Sequence, residues 1–217
     1  MNEEPATEKG RATRQKIVDA ATSVVQSRGV EGATLEEICR TASVSKGQLY
    51  HYFVSKQSLI QAVAQNTVDK VLFYQESLFA TKETFSDFEI WVETLVNLQV
   101  ELDARGGCPI GSLVPQLADN DEGARAVLAD GFLRWEMAIR ESLRQLKKNG
   151  ALRPEVNVDE GALQLLASLQ GGLLLSQVRK DPTQLRVILD GALLRLRDHA
   201  PSRTEEAAQS ARLRSTA

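Results

Sequence analysis

TLEEICRTASVSKGQLYHYFVSKQSL, residues Thr34–Leu59, carries two helix-start signals eleven residues apart. Thr34-Leu35-Glu36-Glu37 has the S/T-x-x-E form in which the first hydroxyl and the fourth side chain satisfy each other's backbone N–H groups. Ser45-Lys46-Gly47-Gln48 repeats the form with Gln in the third helical position. Starts this close leave room for about two turns of helix between them. Ile38, Ala42, Val44, Leu49 and Phe53 can then face one small core, which leaves Lys46, Gln48, Tyr50 and His51 pointing outward from the helix that begins at Ser45. That is the arrangement of a helix-turn-helix, whose second helix offers its N-terminal residues to base edges in the major groove.

Charge around this segment agrees with such a role although the whole chain is mildly acidic. The 217 residues carry a net charge of −3 and a pI near 5.6, which by themselves do not suggest a nucleic-acid partner. Yet from Ile38 to Val68 there is no Asp or Glu, while Arg40, Lys46, His51 and Lys56 lie in that interval. A duplex approaching here meets no repelling carboxylate. The plain alternative is a solvated basic face. Glu36 and Glu37, at the start of the preceding helix, suit the helix dipole but oppose DNA, and a capping role for Glu37 would account for it.

Composition excludes several classes. With 42% hydrophobic residues and no apolar run near the eighteen or so that cross a bilayer, the chain reads as soluble. Its first residues, MNEEPATEKGRATRQK, have no apolar signal core and point to the cytoplasm. Cys39 and Cys108 cannot build a disulfide framework, and His51 and His199 are too few for a His/Cys metal site, so neither metal nor cofactor is expected. A carboxylate-only site for a hard cation stays open. No nucleophile with its base and no Gly-rich phosphate loop is present, which argues against an enzyme.

All long segments have helical periodicity, which predicts an all-α protein of about nine helices. The first spans about Thr13 to Arg28 and ends at Gly29. Ser55 caps a fourth that reaches Phe79, and a fifth runs from Phe85 to Ala104 with Phe88, Trp91, Val92, Leu95, Gln99 and Leu102 on its stripe. An irregular element over Pro109 to Asp119 precedes a long helix from Glu122 to Asn149, striped with Leu128, Phe132, Trp135, Ile139, Leu143 and Leu146. The helix from Asp159 to Arg179 is apolar on two sides and must be covered twice. Asp181-Pro182 starts the last one. Pairing of these two helices with a second copy would bury Leu165, Leu169, Leu174, Leu189 and Leu193 in a two-fold bundle; a single-chain bundle with both helices central is the alternative.

The segment also resembles the TetR family of transcriptional regulators, through Val44-Ser45-Lys46-Gly47, Leu49-Tyr50, Tyr52-Phe53, Ser55-Lys56 and Leu59, with Thr34 and Ile38 upstream. The likeness is close over the first quarter of the chain. It implies a homodimer that binds a double-stranded DNA operator, most often as a repressor, and a C-terminal domain that binds a small effector. The expected organisation is a flexible arm over residues 1–11, a DNA-binding domain over 12–55, an effector-binding and dimerisation domain over 56–198, and a flexible tail over 199–217. The resemblance makes Tyr50 and Lys56 phosphate ligands, with His51 also outward, and makes the last two helices the dimerisation pair.

Each remaining residue has two readings. Lys46 meets phosphate or a guanine edge. Gln48 completes the cap at Ser45 or reads a base, and one amide cannot easily do both. Gly47 permits close approach to the duplex or merely lowers helix propensity. Thr34 caps its helix and can offer a phosphate its hydroxyl, and Tyr52 is core or surface. Effector candidates are Trp91, Leu95, Gln99, Cys108, Ile110, Leu113, Trp135, Leu169 and Gln170, which combine aromatic walls with a few polar groups, though all would also serve as bundle core. Cys108, between Gly107 and Pro109, is either a redox thiol or an inert buried one. Beside an effector-controlled regulator stands a second reading, a helical adaptor that keeps the helix-turn-helix fold without effector-controlled operator binding.

Overall fold

The computed structural model describes residues 5–79 and 84–198, and all regular structure among them is helical. In order, the helices are α1 (Glu8–Gly32), α2 (Leu35–Ala42), α3 (Lys46–Tyr52), α4 (Lys56–Phe79), α5 (Phe85–Glu101), α6 (Val114–Leu117), α7 (Glu122–Lys148), α8 (Val158–Arg179) and α9 (Thr183–Asp198). They form two compact units, one from the chain up to Phe73 with Cys108–Leu133, the other from Tyr74–Gly107 with the chain from Arg134 onward. The segment 56–198, expected to form one domain, is thus divided between them. The expected tail 199–217, with His199, and residues 1–4 of the expected arm lie outside the described residues.

In the first unit α1 starts at Glu8, five residues before the expected Thr13. The sequence signal lies upstream: Thr7 Oγ1 accepts the Gly10 N–H at 3.1 Å, so residues 8–11 of the expected arm are helical. At the other end Gly29 ends the regular run of the helix as expected: its φ of +74° is a positive value that glycine tolerates, and the chain kinks there before a last turn to Gly32. The Val30 N–H, displaced by this kink, donates to Gln116 Oε1 at 2.8 Å, and a Cβ on Gly29 would stand 2.9 Å from that same oxygen. The kink is fixed by a partner from distant sequence, which no local pattern reveals. Ile17, Ala21, Ile38, Leu49 and Leu59 are wholly buried, and Ala42 and Phe53 nearly so, as the apolar spacing required. Val44, expected with them, is half-buried.

Three helix starts of this unit are held in different ways. At α2, Thr34 Oγ1 accepts the Glu37 N–H at 3.2 Å, but the return half of the expected box is replaced: the Glu37 carboxylate turns to Arg28 at 2.9 Å and Arg40 at 3.5 Å. The cation pair outcompetes one backbone N–H for the carboxylate. At α4, Ser55 and Ser58 cap each other, each hydroxyl accepting the other's N–H, at 3.0 and 3.2 Å. At α7 the Asp121 carboxylate accepts the Ala124 N–H at 3.0 Å and the Gln61 amide at 2.8 Å. Burial pushes the Asp121 carboxyl up, but hydrogen bonds from Ala124, Gln61 and Gln57 outweigh it and leave the net shift downward.

The second unit is built around aromatic and leucine stripes. Phe79, Phe88 and Trp91 form a cluster with ring centroids 5.2 to 6.4 Å apart. Helix α5 ends at Glu101 rather than Ala104, because Asp103 and Ala104 adopt positive φ and turn the chain. Leu102, expected on the buried stripe, is consequently exposed. Helices α8 and α9 pack closely, with the Ser176 hydroxyl accepting the Leu185 N–H at 3.1 Å. Asp181 caps α9, its carboxylate accepting the Thr183 N–H at 2.9 Å, and the Pro182 carbonyl accepts the Leu185 N–H of the first turn at 3.1 Å.

Candidate nucleic-acid interface and effector site

Helix α3 is short, and its position depends on its ends. The box expected at Ser45 is complete: Ser45 Oγ accepts the Gln48 N–H at 3.1 Å, and Gln48 Oε1 accepts the Ser45 N–H at 2.9 Å. Leu49, fully buried, anchors the inner side. Lys46, Gln48, Tyr50 and His51 are exposed, the geometry that a major-groove helix needs. Of the two uses weighed for Gln48, the cap occupies its oxygen. A Cβ on Gly47 would meet nothing nearer than Ser45 Oγ at 3.9 Å, so the chain's own packing does not demand the glycine. Tyr52 is half-buried, its ring edge-on to His51 at 4.9 Å.

The flanks of α3 are held by charge as well as packing. Lys56, half-buried at the α4 start, donates its ammonium to the Glu31 carbonyl at 3.4 Å. Arg14 lies over the Phe53 ring at 5.1 Å. The start of α1 also belongs to this face, beyond the residues expected from the helix-turn-helix pattern. Thr7, Lys9, Gly10 and Thr13 line a polar groove of about 590 Å³ together with Ser45, Gly47, Gln48, His51 and Tyr52 of the α3 segment. The available signal was Thr7 as a cap, followed by Lys9, Arg11, Arg14 and Lys16. Burial pushes the Cys39 thiol up, against the pull of Lys46, which disfavours a reactive thiolate at this face.

The nine effector candidates separate by unit. Cys108, Ile110 and Leu113 are buried in the first unit, where Cys108 Sγ accepts the Gly111 N–H at 3.3 Å. Trp91, Leu95, Gln99, Trp135, Leu169 and Gln170 belong to the second, all buried except the half-buried Gln170. The two tryptophans are not equivalent. Trp91 donates its indole N–H to Gln75 Oε1 at 3.2 Å and is satisfied core. Among the described residues Trp135 Nε1, Gln99 Oε1 and Gln170 Nε2 are buried without a hydrogen-bond partner.

The residues expected at a dimer contact need correction. Leu165, Leu169, Leu189 and Leu193 are buried within the single chain, because they form the contact between its own helices; of that set only Leu174 is open, at 64%. The open apolar stripe instead comprises Leu163, Leu174 and Val178 on α8, with Val187 and Leu194 on α9. Spacing from 163 to 174 and 178, and from 187 to 194, keeps each set on one helix face. Among the described residues no group of three or more His, Cys, Asp or Glu could hold a metal, and no helix is long and apolar enough to cross a membrane.

Two family models match the chain: bacterial regulatory proteins of the tetR family over residues 17–63, and the tetracyclin repressor-like C-terminal domain over residues 90–192. An uncharacterised helix-turn-helix transcriptional regulator from the lacX 3′ region of Lactococcus lactis is 30% identical over 79% of this chain and 86% of its own length. The uncharacterised regulator YxaF of Bacillus subtilis is 26% identical over 82% of this chain and 92% of its own. A TetR-family regulator from Cytophaga hutchinsonii shares the fold, with a TM-score of 0.79 at 18% identity over 92% of this chain and all of that one.

Proposed function

Because the chain belongs to the TetR family of transcriptional regulators, we propose that it represses transcription as a cytoplasmic homodimer bound to an inverted-repeat operator, and leaves that operator when a small, largely apolar effector binds the second unit. The observation that carries this reading is α3: a helix fixed by a complete capping box, exposing Lys46, Gln48, Tyr50 and His51 inside a stretch free of carboxylates. Tyr50, Lys56 and Thr34 hold phosphates, and Lys46 and the amide nitrogen of Gln48 meet base edges beside Gly47 and His51. The exposed stripe of α8 and α9 supports the homodimer, since a patch of this kind is costly in water. Two recognition helices then enter successive major grooves about 34 Å apart or somewhat wider. Helix α4 connects the first unit to the second, and an effector that prefers one tilt of it by about 3 kcal/mol changes operator affinity roughly a hundredfold.

Selection of bound sequences from a random DNA pool, followed by release assays with uncharged metabolites, tests the proposal. An inverted repeat bound with strong salt dependence is expected. Absence of any preferred sequence would favour the helical adaptor.

A further inference from the structure

Resting on the effector reading above, we infer that the effector is an uncharged molecule with an apolar, ring-sized body bearing both a hydrogen-bond acceptor and a donor, read by Trp135, Gln170 and Gln99. A buried polar atom without a partner is destabilising, and one that recurs on three helices of a single unit calls for a partner from outside the chain. Here Trp135 Nε1 and Gln170 Nε2 are donors and Gln99 Oε1 is an acceptor, on α7, α8 and α5 respectively.

Register within the second unit brings the three to within about one helical turn of a common level. Lys147 in the last turn of α7 donates to the Val156 carbonyl just before α8 at 2.8 Å, and a Cβ on Gly161 would stand 3.2 Å from Leu143 Cδ1, so α8 runs back along α7 with 143 beside 161. From that level Trp135 and Leu169 each stand about 12 Å along their helices, in the same direction, with Gln170 next. Phe79 meets both Phe88 of α5 and the Ser142 hydroxyl of α7. Gln75 meets Trp91, so α5 runs back along the end of α4, while Glu76 pairs with Arg134, so α7 runs with it. Descending from Phe88 and Ser142 therefore brings Leu95 level with Trp135, and Gln99 about one turn beyond.

The surroundings set the charge and the body of the ligand. Among the described residues the one buried charged side chain is Asp121, which lies in the first unit and caps α7. The half-buried Arg140 of the second unit is already paired with Glu136 and Asp159. An ionised ligand at Trp135 would be desolvated without a counter-charge, whereas an apolar body gains from Leu95, Leu169 and the indole face.

The test uses the full-length protein without DNA, and four probes of one size: 4-hydroxyacetophenone, acetophenone, ethylbenzene and 4-hydroxybenzoate. Calorimetry should give 4-hydroxyacetophenone a Kd in the micromolar to millimolar range, with acetophenone weaker and with ethylbenzene and 4-hydroxybenzoate each at least about tenfold weaker. Trp135→Phe, Gln99→Met and Gln170→Met should each erase most of this preference while raising the melting temperature of the unliganded protein, because each replaces an orphaned polar atom by an apolar one of similar shape. A purely structural role would lower the melting temperature instead. Equal binding of 4-hydroxybenzoate, variants that melt lower and bind unchanged, or no binding of any probe at millimolar concentration would overturn the inference. Operator binding is read separately, so its failure leaves the probe order standing, and failure of the probes leaves operator binding intact.

Discussion

The Glu37 carboxylate of α2 stands 2.9 Å from the Arg28 guanidinium of α1 and 3.5 Å from that of Arg40, so the acidic residue nearest the recognition helix in sequence is charge-compensated. Both arginines are more than half exposed, and such pairs contribute at most about 1 kcal/mol to stability. Glu37→Gln should therefore fold normally. It leaves two cations uncompensated near the DNA face, and is expected to tighten binding to random-sequence duplex and steepen its salt dependence by about one to two units in fluorescence anisotropy. An unchanged slope would show that neither arginine approaches phosphate.

Gln48 separates structure from readout through its two amide ends. Gln48→Glu keeps an oxygen for the Ser45 N–H and places an anion in the first turn, so the melting temperature should hold. It loses the amide donor and adds a charge against DNA, and operator binding should fall by tenfold or more, about 1.4 kcal/mol. Ser45→Ala has the opposite profile, costing about 1 kcal/mol of stability. Loss of stability in Gln48→Glu with operator preference retained would reverse these roles.

Lys56→Ala should weaken specific and random DNA alike and flatten the salt dependence by about one unit, because a phosphate contact carries no sequence information. Lys46→Ala should instead alter the preferred sequence at one position in each half-site. Equal losses on both kinds of DNA for both variants would refute the division.

Leu174→Asp and Leu194→Asp place charges on the exposed stripe and should yield folded monomers by sedimentation at micromolar concentration. Leu169→Asp buries a charge in the chain's own core and should unfold the protein. Dimers surviving both surface substitutions would put the contact elsewhere.

Asp121 gives a pH signature. Its carboxyl lies below its ordinary range in the folded state, so the ionised form stabilises the fold above that range and the contribution disappears as pH falls through the folded value. Asp121→Asn retains an oxygen for the Ala124 N–H but no charge at the α7 start. The variant should be less stable than the parent at pH 7, with the difference closing below about pH 4 in acid titrations followed by circular dichroism. A difference independent of pH would assign the effect to packing.

Local signals in the chain were enough for the helix-turn-helix and for nearly every helix of more than two turns. Ser45 and Gln48 lie three residues apart, and their mutual cap involves no other part of the molecule. Apolar periodicity likewise marked the buried faces of α5 and α7 from Phe88 to Gln99 and from Leu128 to Leu146, apart from the half-buried Phe132. The same periodicity could not distinguish which side of α8 meets its own chain, since Leu165 and Leu174 are equally apolar and only the placement of α9 buries one and leaves the other open.

By itself the sequence determined the all-helical class, the recognition helix and its outward residues, because those rest on contacts within a turn or two of chain. Only the tertiary structure decided that Glu37 serves Arg28 rather than its own cap, that Gln116 holds the kink at Gly29, that Trp91 is satisfied by Gln75, and that Trp135 is left without a partner. Those outcomes depend on which groups distant in sequence arrive beside a given donor or charge, and a hydrogen bond or ion pair forms with whatever lies within about 3 Å, whatever its position along the chain.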